Sequence, residues 1–168
     1  MDDPLLSEDA RRLVADLTVR KQSIATAESL TAGLLAATLA GVPGASEVLR
    51  GGLITYTERT KVLLAGVAPQ ILDEVGPVAA PTARALAVGA RQRCEATWGI
   101  GLTGVAGPEP HGGHEVGTVF MGVAGFMGVA GPVDTEVVEL QFTGTRWDIR
   151  VAAVRESISR LRALVAAE

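Results

Sequence analysis

The sequence has few aromatic residues, one cysteine, two histidines and no surplus of positive charge. Each shortage excludes something. Phe, Trp and Tyr make up 4% of the 168 residues, while apolar residues make up 48%. The core must therefore be built from Ala, Val, Leu and Ile, with helices and strands packed closely through small side chains. The single cysteine, Cys94, cannot form an intrachain disulfide. A reducing, cytoplasmic setting fits that. Lys and Arg number 15 against 19 Asp and Glu, a formal net charge of −4. That argues against a general nucleic-acid binder, which wants a broad basic face, but not against a small anion gripped by a few arginines. No run approaches the ~20 apolar residues of a membrane span. The acidic opening Met-Asp-Asp-Pro has no apolar signal core.

What is present is glycine, 20 in all, grouped at turns rather than in a repeat. Such grouping predicts many tight strand–helix junctions. An amphipathic helix is expected over 7–20, capped by Ser7, with Ala10, Leu13, Val14 and Leu17 as its apolar stripe. A strand over 23–27 leads through Ala-Glu-Ser-Leu-Thr-Ala-Gly (27–33) into a helix ending near Ala40, with Gly41 placed to stop it. Val42-Pro-Gly-Ala-Ser46 reads as a loop. A buried strand over Leu53–Thr55 then runs into the polar cluster Tyr56-Thr-Glu-Arg-Thr-Lys61, with a helix over 58–65 closed by Gly66. Short and long helices follow from Pro69 and Pro81. The stripe of the longer one reads Ala85, Leu86, Val88, Gly89, Cys94, which makes Cys94 a core residue. Strands are expected over 98–102, 116–123 and 133–142. The last two form a hairpin around a glycine-rich turn at 125–132. A final helix over 146–166 docks through Val151, Val154, Ile158, Leu161 and Val165. The pattern predicts one domain over 1–168, a three-layer α/β/α sandwich with a mixed sheet.

By residue type alone the chemistry is open. A serine hydroxyl needs a base to act as a nucleophile. Neither His111 nor His114 suits that role, since both sit in one glycine-rich loop. A lysine serves if burial leaves its amine neutral. Lys61 with Tyr56 therefore stands as a candidate pair for Ser29 or Ser46. The alternative is a solvated lysine, a strand-end tyrosine and two capping serines. Thr103-Gly-Val-Ala-Gly-Pro108 follows a strand, and its amides can hold a carbonyl oxygen or phosphate. It lacks the Gly-Lys-Ser/Thr ending of a Walker loop. Arg146 and Arg150, one turn apart, can grip a phosphate or simply be solvated. His111 and His114, spaced i, i+3 with Glu115 adjacent, leave a metal site open, although a glycine-rich loop gives ligands little scaffold.

Five ordered stretches carry a resemblance: 27–33, 42–46, 51–61, 103–108 and Val-Gly-Thr-Val at 116–119. Together they resemble the C-terminal domain of the CinA (competence/damage-inducible) family, the nicotinamide-nucleotide amidohydrolases, over about residues 7–165. The N-terminal domain of full-length CinA proteins is missing, so the chain resembles the stand-alone form. The resemblance implies hydrolysis of the carboxamide of nicotinamide mononucleotide to nicotinic acid mononucleotide and ammonia, without a cofactor, in a cytoplasmic homo-oligomer. It marks Ser46, Lys61 and Tyr56 as catalytic. Ser29, Thr31, Thr103, Gly104 and Arg146 are marked for substrate binding. Ser46 is expected to attack, with the reverse assignment to Ser29 open. Two other readings stay open, namely a non-enzymatic regulatory domain and an amidase for another substrate. One departure matters. The family usually has Asn two residues after the tyrosine, whereas this chain has Glu58, whose carboxylate favours a charged Lys61.

Overall fold

The structure is a computed structural model, and it describes residues 7–125 and 134–167. A five-stranded sheet runs in the order β2-β1-β3-β4-β5. The strands are β1 (Ile24–Glu28), β2 (Leu49–Ile54), β3 (Trp98–Gly104), β4 (Thr118–Gly125) and β5 (Asp134–Gln141). β1 pairs in parallel with β2 and β3, whereas β3–β4 and β4–β5 are antiparallel. This is the expected mixed sheet. The helices are α1 (Glu8–Arg20), α2 (Leu34–Ala40), α3 (Glu58–Ala65), α4 (Pro69–Val75), α5 (Ala80–Arg93) and α6 (Arg146–Ala167). Leucines and valines of α1, α2 and α6 form the larger core on one face of the sheet. α3, α4 and α5 cover the other face with a smaller, alanine-rich core.

Local chemistry accounts for most boundaries. Ser7 Oγ accepts from Ala10 N at 3.1 Å and starts α1, and its stripe Ala10, Leu13, Val14, Leu17 is buried as expected. Thr57 and Thr60 form a capping box at the start of α3, and Gly66, with φ 72°, ends it in the left-handed conformation. The second face is thin because glycine lines it. A Cβ on Gly101 would lie 2.4 Å from Ala83 O, and one on Gly99 would lie 2.1 Å from Ala87 O, so α5 rests directly on strand backbone. A chain poor in aromatics has little else to fill such a layer.

Four expectations change. β2 starts at Leu49, not Leu53, and it is an edge strand with alternate residues exposed rather than a buried one. The buried face of α5 runs through Thr82, Ala83, Leu86, Ala87, Gly89 and Ala90, because it follows the glycines of β3 and β4. Ala85 and Val88 are only half-buried, and Cys94 is a half-buried helix terminus rather than core. Val151 is half-buried, and Ile149 and Ala153 take its place in the core. The turn expected at 125–132 lies, from residue 126 on, outside the described residues, although the hairpin it serves is present as β4–β5.

Candidate functional site

β1 and β2 run in parallel and end together, and the chain leaves both ends carrying polar residues. β1 continues into Ser29. β2 continues into Thr55 and Tyr56, then into α3. Such a crevice beyond strand ends is where open α/β sheets hold ligands.

α3 is turned in an unusual way. Its inward residues are Lys61 and Ala65, four apart, while Leu63 is 66% exposed. A lysine thus occupies a position where a helix normally places an apolar side chain. Lys61 is only 1% exposed. Its Nζ donates to Thr55 O at 2.8 Å and to Ser29 Oγ at 3.0 Å. Thr55 is itself fixed, since its N donates to Glu28 O at 2.8 Å. Burial pushes the Lys61 amine down from 10.5 to about 8, against an opposing, smaller pull upward from the Glu58 carboxylate. A neutral amine beside a hydroxyl is the arrangement a serine–lysine pair needs.

The pair lies at a cavity of about 390 Å³, which Ser29 and Lys61 line together. That size suits a small ligand, for which pockets run roughly 300–1,000 Å³. Thr103 and Gly104, at the end of β3, line another wall. Thr103 is buried and its Oγ1 donates to Pro77 O at 2.6 Å, so its hydroxyl is committed to the fold. Gly104 stands opposite Val119, and the next residue, Val105, donates to Thr118 O. The alternation of antiparallel bonding then turns the Gly104 amide away from β4, toward the side where β1 ends.

Arg146 opens α6 at the rim. Its Nη1 donates to Gly107 O at 2.6 Å and its Nη2 to Tyr56 Oη at 2.8 Å. Tyr56 is 52% exposed and is not a partner of Lys61. The expected Tyr56–Lys61 pair is therefore a Tyr56–Arg146 pair. The two arginines of α6 also part company. Arg150 does not reach the cavity, because its Nε donates to Leu30 O at 2.9 Å and its Nη2 to Thr31 O at 3.2 Å.

Ser46 is not brought to this place. It sits exposed in the 3-10 turn Ala45–Glu47, before β2, whereas Tyr56 and Lys61 follow the strand's other end. At ~3.3 Å per residue, the six residues of β2 separate the two ends by roughly 20 Å. Thr31 is fully buried and does not line the cavity.

Further residues join the site. Glu58, Glu109 and His111 reach the cavity. His111 and His114 exchange both main-chain bonds across Gly112-Gly113, which turns His111 to the rim. His114 packs edge-on against Phe120, its ring 5.7 Å away. Among the described residues, no three His, Cys, Asp or Glu side chains gather as a metal site would require. No helix among them is long and apolar enough to cross a membrane. Glu28 is the fully buried carboxylate that residue-type reasoning passed over. Its signal was an acid at the end of an otherwise apolar run.

Comparison with known proteins gives this geometry a family. The CinA C-terminal domain model matches residues 7–165. A CinA-like protein of Acidobacterium capsulatum is 40% identical over 169 residues, covering 96% of this chain and 39% of its own length. A putative competence-damage inducible protein of Geobacillus kaustophilus is 40% identical over 167 residues, covering 99% and 38%. The chain thus spans about two fifths of the length of these curated relatives. Among solved structures, the competence/damage inducible protein CihA of Agrobacterium tumefaciens is 32% identical with a TM-score of 0.88, covering 98% of both chains. A CinA superfamily protein of Escherichia coli is 26% identical with a TM-score of 0.86, covering 96% and 91%. With a match over nearly its whole length and a shared fold, the chain belongs to the CinA C-terminal domain family.

Proposed function

We propose that the chain is an amidohydrolase that deamidates nicotinamide mononucleotide, with Ser29 as nucleophile and Lys61 as base. The observation that carries this reading is the buried Lys61 amine, brought to about 8 and set 3.0 Å from Ser29 Oγ at a cavity. The neutral amine takes the Ser29 proton as Oγ attacks the carboxamide carbon. The oxyanion that forms is met by main-chain donors at the cavity wall, with the Gly104 amide the best placed. Lys61 returns the proton to the amide nitrogen, and ammonia leaves an ester on Ser29. Water, deprotonated by the same amine, then releases the nicotinic acid product and restores the hydroxyl.

Arg146 is assigned to the phosphate. Its guanidinium sits at the rim, fixed by Tyr56 Oη and Gly107 O, and a planar fork suits an anionic oxygen pair. Tyr56 orients that arginine rather than moving protons at the reacting carbon. Glu58 and Glu109 also border the cavity, so a substrate with a second anionic group would be repelled.

Purified protein incubated with nicotinamide mononucleotide should release ammonia and the nicotinic acid mononucleotide. Ser29→Ala and Lys61→Ala should not. A folded wild-type protein that releases neither product would end this reading. Hydrolysis of other carboxamides alone would keep the serine–lysine chemistry and replace the substrate.

A further inference from the structure

Glu28 is fully buried and does not line the cavity, yet it is the residue just before Ser29. Side chains alternate along a strand, so Ser29 turns toward α3 and Lys61 while Glu28 turns toward α2. Its carboxylate is fully engaged there. Oε1 accepts from Leu35 N at 2.8 Å, and Oε2 accepts from Ala36 N at 3.1 Å and from Thr26 Oγ1 at 3.0 Å. Gly33, the residue capping α2, offers no side chain of its own to those amides. The strand's carboxylate therefore does what a helix cap does, from the far side of a turn.

That turn is the one that carries Ser29. It includes Ala32 at φ 48° and Gly33 at φ 95°, two left-handed residues in succession. An alanine in this conformation is strained, because its Cβ crowds the following carbonyl oxygen. Such strain persists only where the surroundings over-determine it. Two outside groups do so. Arg150 holds the carbonyls of Leu30 and Thr31, and Glu28 ties the turn's first end to the helix at its last.

We propose that Glu28 is a positioning residue for Ser29. Its carboxylate, clamped on the first amides of α2, holds the left-handed turn in register and keeps Ser29 Oγ on Lys61 Nζ. The inference rests on Ser29 being the nucleophile. The main chain of Glu28 anchors the other partner, since Glu28 O holds Thr55, whose carbonyl holds the lysine. The side chain and the main chain of one residue thus set both halves of the pair. Replacing the carboxylate loosens the serine half and leaves the lysine half, because the β1–β2 ladder remains.

The test uses a fluorophosphonate, which labels activated serines whatever the natural substrate. Glu28→Gln keeps the shape but points an N–H donor at a helix amide. It should label about tenfold more slowly than wild type or worse, the scale expected for a small misplacement of reacting atoms. Its kcat for deamidation should fall in step, with KM within about twofold and the midpoint of the pH–rate profile unchanged. Circular dichroism and thermal melting establish the folded fraction. A folded Glu28→Gln that labels at the wild-type rate overturns the proposal, as does a loss of kcat that merely tracks the unfolded fraction. Should Glu28→Gln fail to fold, Thr26→Val removes one of the three donors and keeps both helix amides. It should label about threefold more slowly, on the scale of one hydrogen bond, and an unchanged rate overturns the proposal. The underlying reading fails in a different place: wild-type protein that does not label, with Ser29→Ala still deamidating, removes both Ser29 and its positioning. Labelling without deamidation of the mononucleotide removes only the substrate.

Discussion

Lys61 Nζ lies 3.0 Å from Ser29 Oγ and 2.8 Å from Thr55 O, in a position that leaves the lysine 1% exposed. Residues 32 apart in the chain meet because two parallel strands end side by side and the helix after the second turns its lysine inward.

The first prediction separates the two serines. Ser29→Ala should lower kcat for deamidation by about 10³-fold or more, since the proposed attacking group is gone. Ser46→Ala should stay within about twofold of wild type, because Ser46 is exposed at the far end of β2. Steady-state assays of ammonia release decide it, and the reverse result would reinstate Ser46 as nucleophile.

The second concerns pH. With the free amine as the proposed base, kcat/KM should rise with pH through about 8 and level off above it. Glu58 holds the amine up, so Glu58→Gln should move the midpoint to lower pH and raise activity near neutrality. An unmoved midpoint would show the carboxylate to be screened. The chain has only two lysines, Lys21 and Lys61. Nitrogen-detected NMR of labelled side-chain amines therefore reads the titration directly.

The third concerns stability. Below about pH 8 the lysine is charged in both the folded and unfolded states. Between about 8 and 10.5 the unfolded chain still holds the proton while the folded one has lost it. Stability contributed by this group therefore rises with pH across that window, by about 3 kcal/mol in total. Lys61→Met lacks this term. Its Tm relative to wild type should be highest near pH 7 and should fall by roughly 5–10 °C by pH 10. Paired melts at both pH values test the sign, and a constant difference would contradict a lowered lysine.

The fourth concerns the rim. Arg146→Ala should raise KM for the mononucleotide by about 10–100-fold, the worth of a charged hydrogen bond, with kcat changed much less. Tyr56→Phe removes only the group that receives Nη2, so it should act in the same direction and more weakly. A kcat loss in Tyr56→Phe equal to that of Lys61→Ala would restore the tyrosine to the proton path.

The fifth concerns the thin layer. An added Cβ at Gly101 would stand 2.4 Å from Ala83 O and 2.5 Å from Ala87 N. Gly101→Ala must push α5 off the sheet and should cost about 1–3 kcal/mol or more. The urea midpoint measures it.

The sandwich was legible because its punctuation is local. Ser7, Gly66, Pro69 and Pro81 each mark a boundary by their own chemistry; α1 and α3 fall within a residue of their expected ends, and α4 starts at its proline. The stripe of α5 was misjudged because what it packs against is glycine backbone, which leaves no periodic signal of its own. The site was legible as a set of residues but not as pairs. Lys61 reads as a surface residue until its helix is seen to face inward, and the exposed Leu63 shows the same inversion from the outer face. Ser29 and Ser46 are alike by type and flanking turn. Only the parallel pairing of β1 with β2 decides which one reaches the lysine. Tyr56 and Lys61 are neighbours in sequence, yet the arginine that the tyrosine meets comes 90 positions later.

β2 lies at the sheet edge, and β1 is its one partner strand in the sheet. Thr55, and through it the lysine, hangs from that outermost strand. Edge elements open with less free energy than the whole molecule does. Fraying of this margin would carry the lysine off its serine and wet it, returning the amine to its ordinary, protonated range. Heat should therefore silence the proposed activity before the central strands melt, and amide exchange at Thr55 should run faster than in β3, in step with the loss of activity.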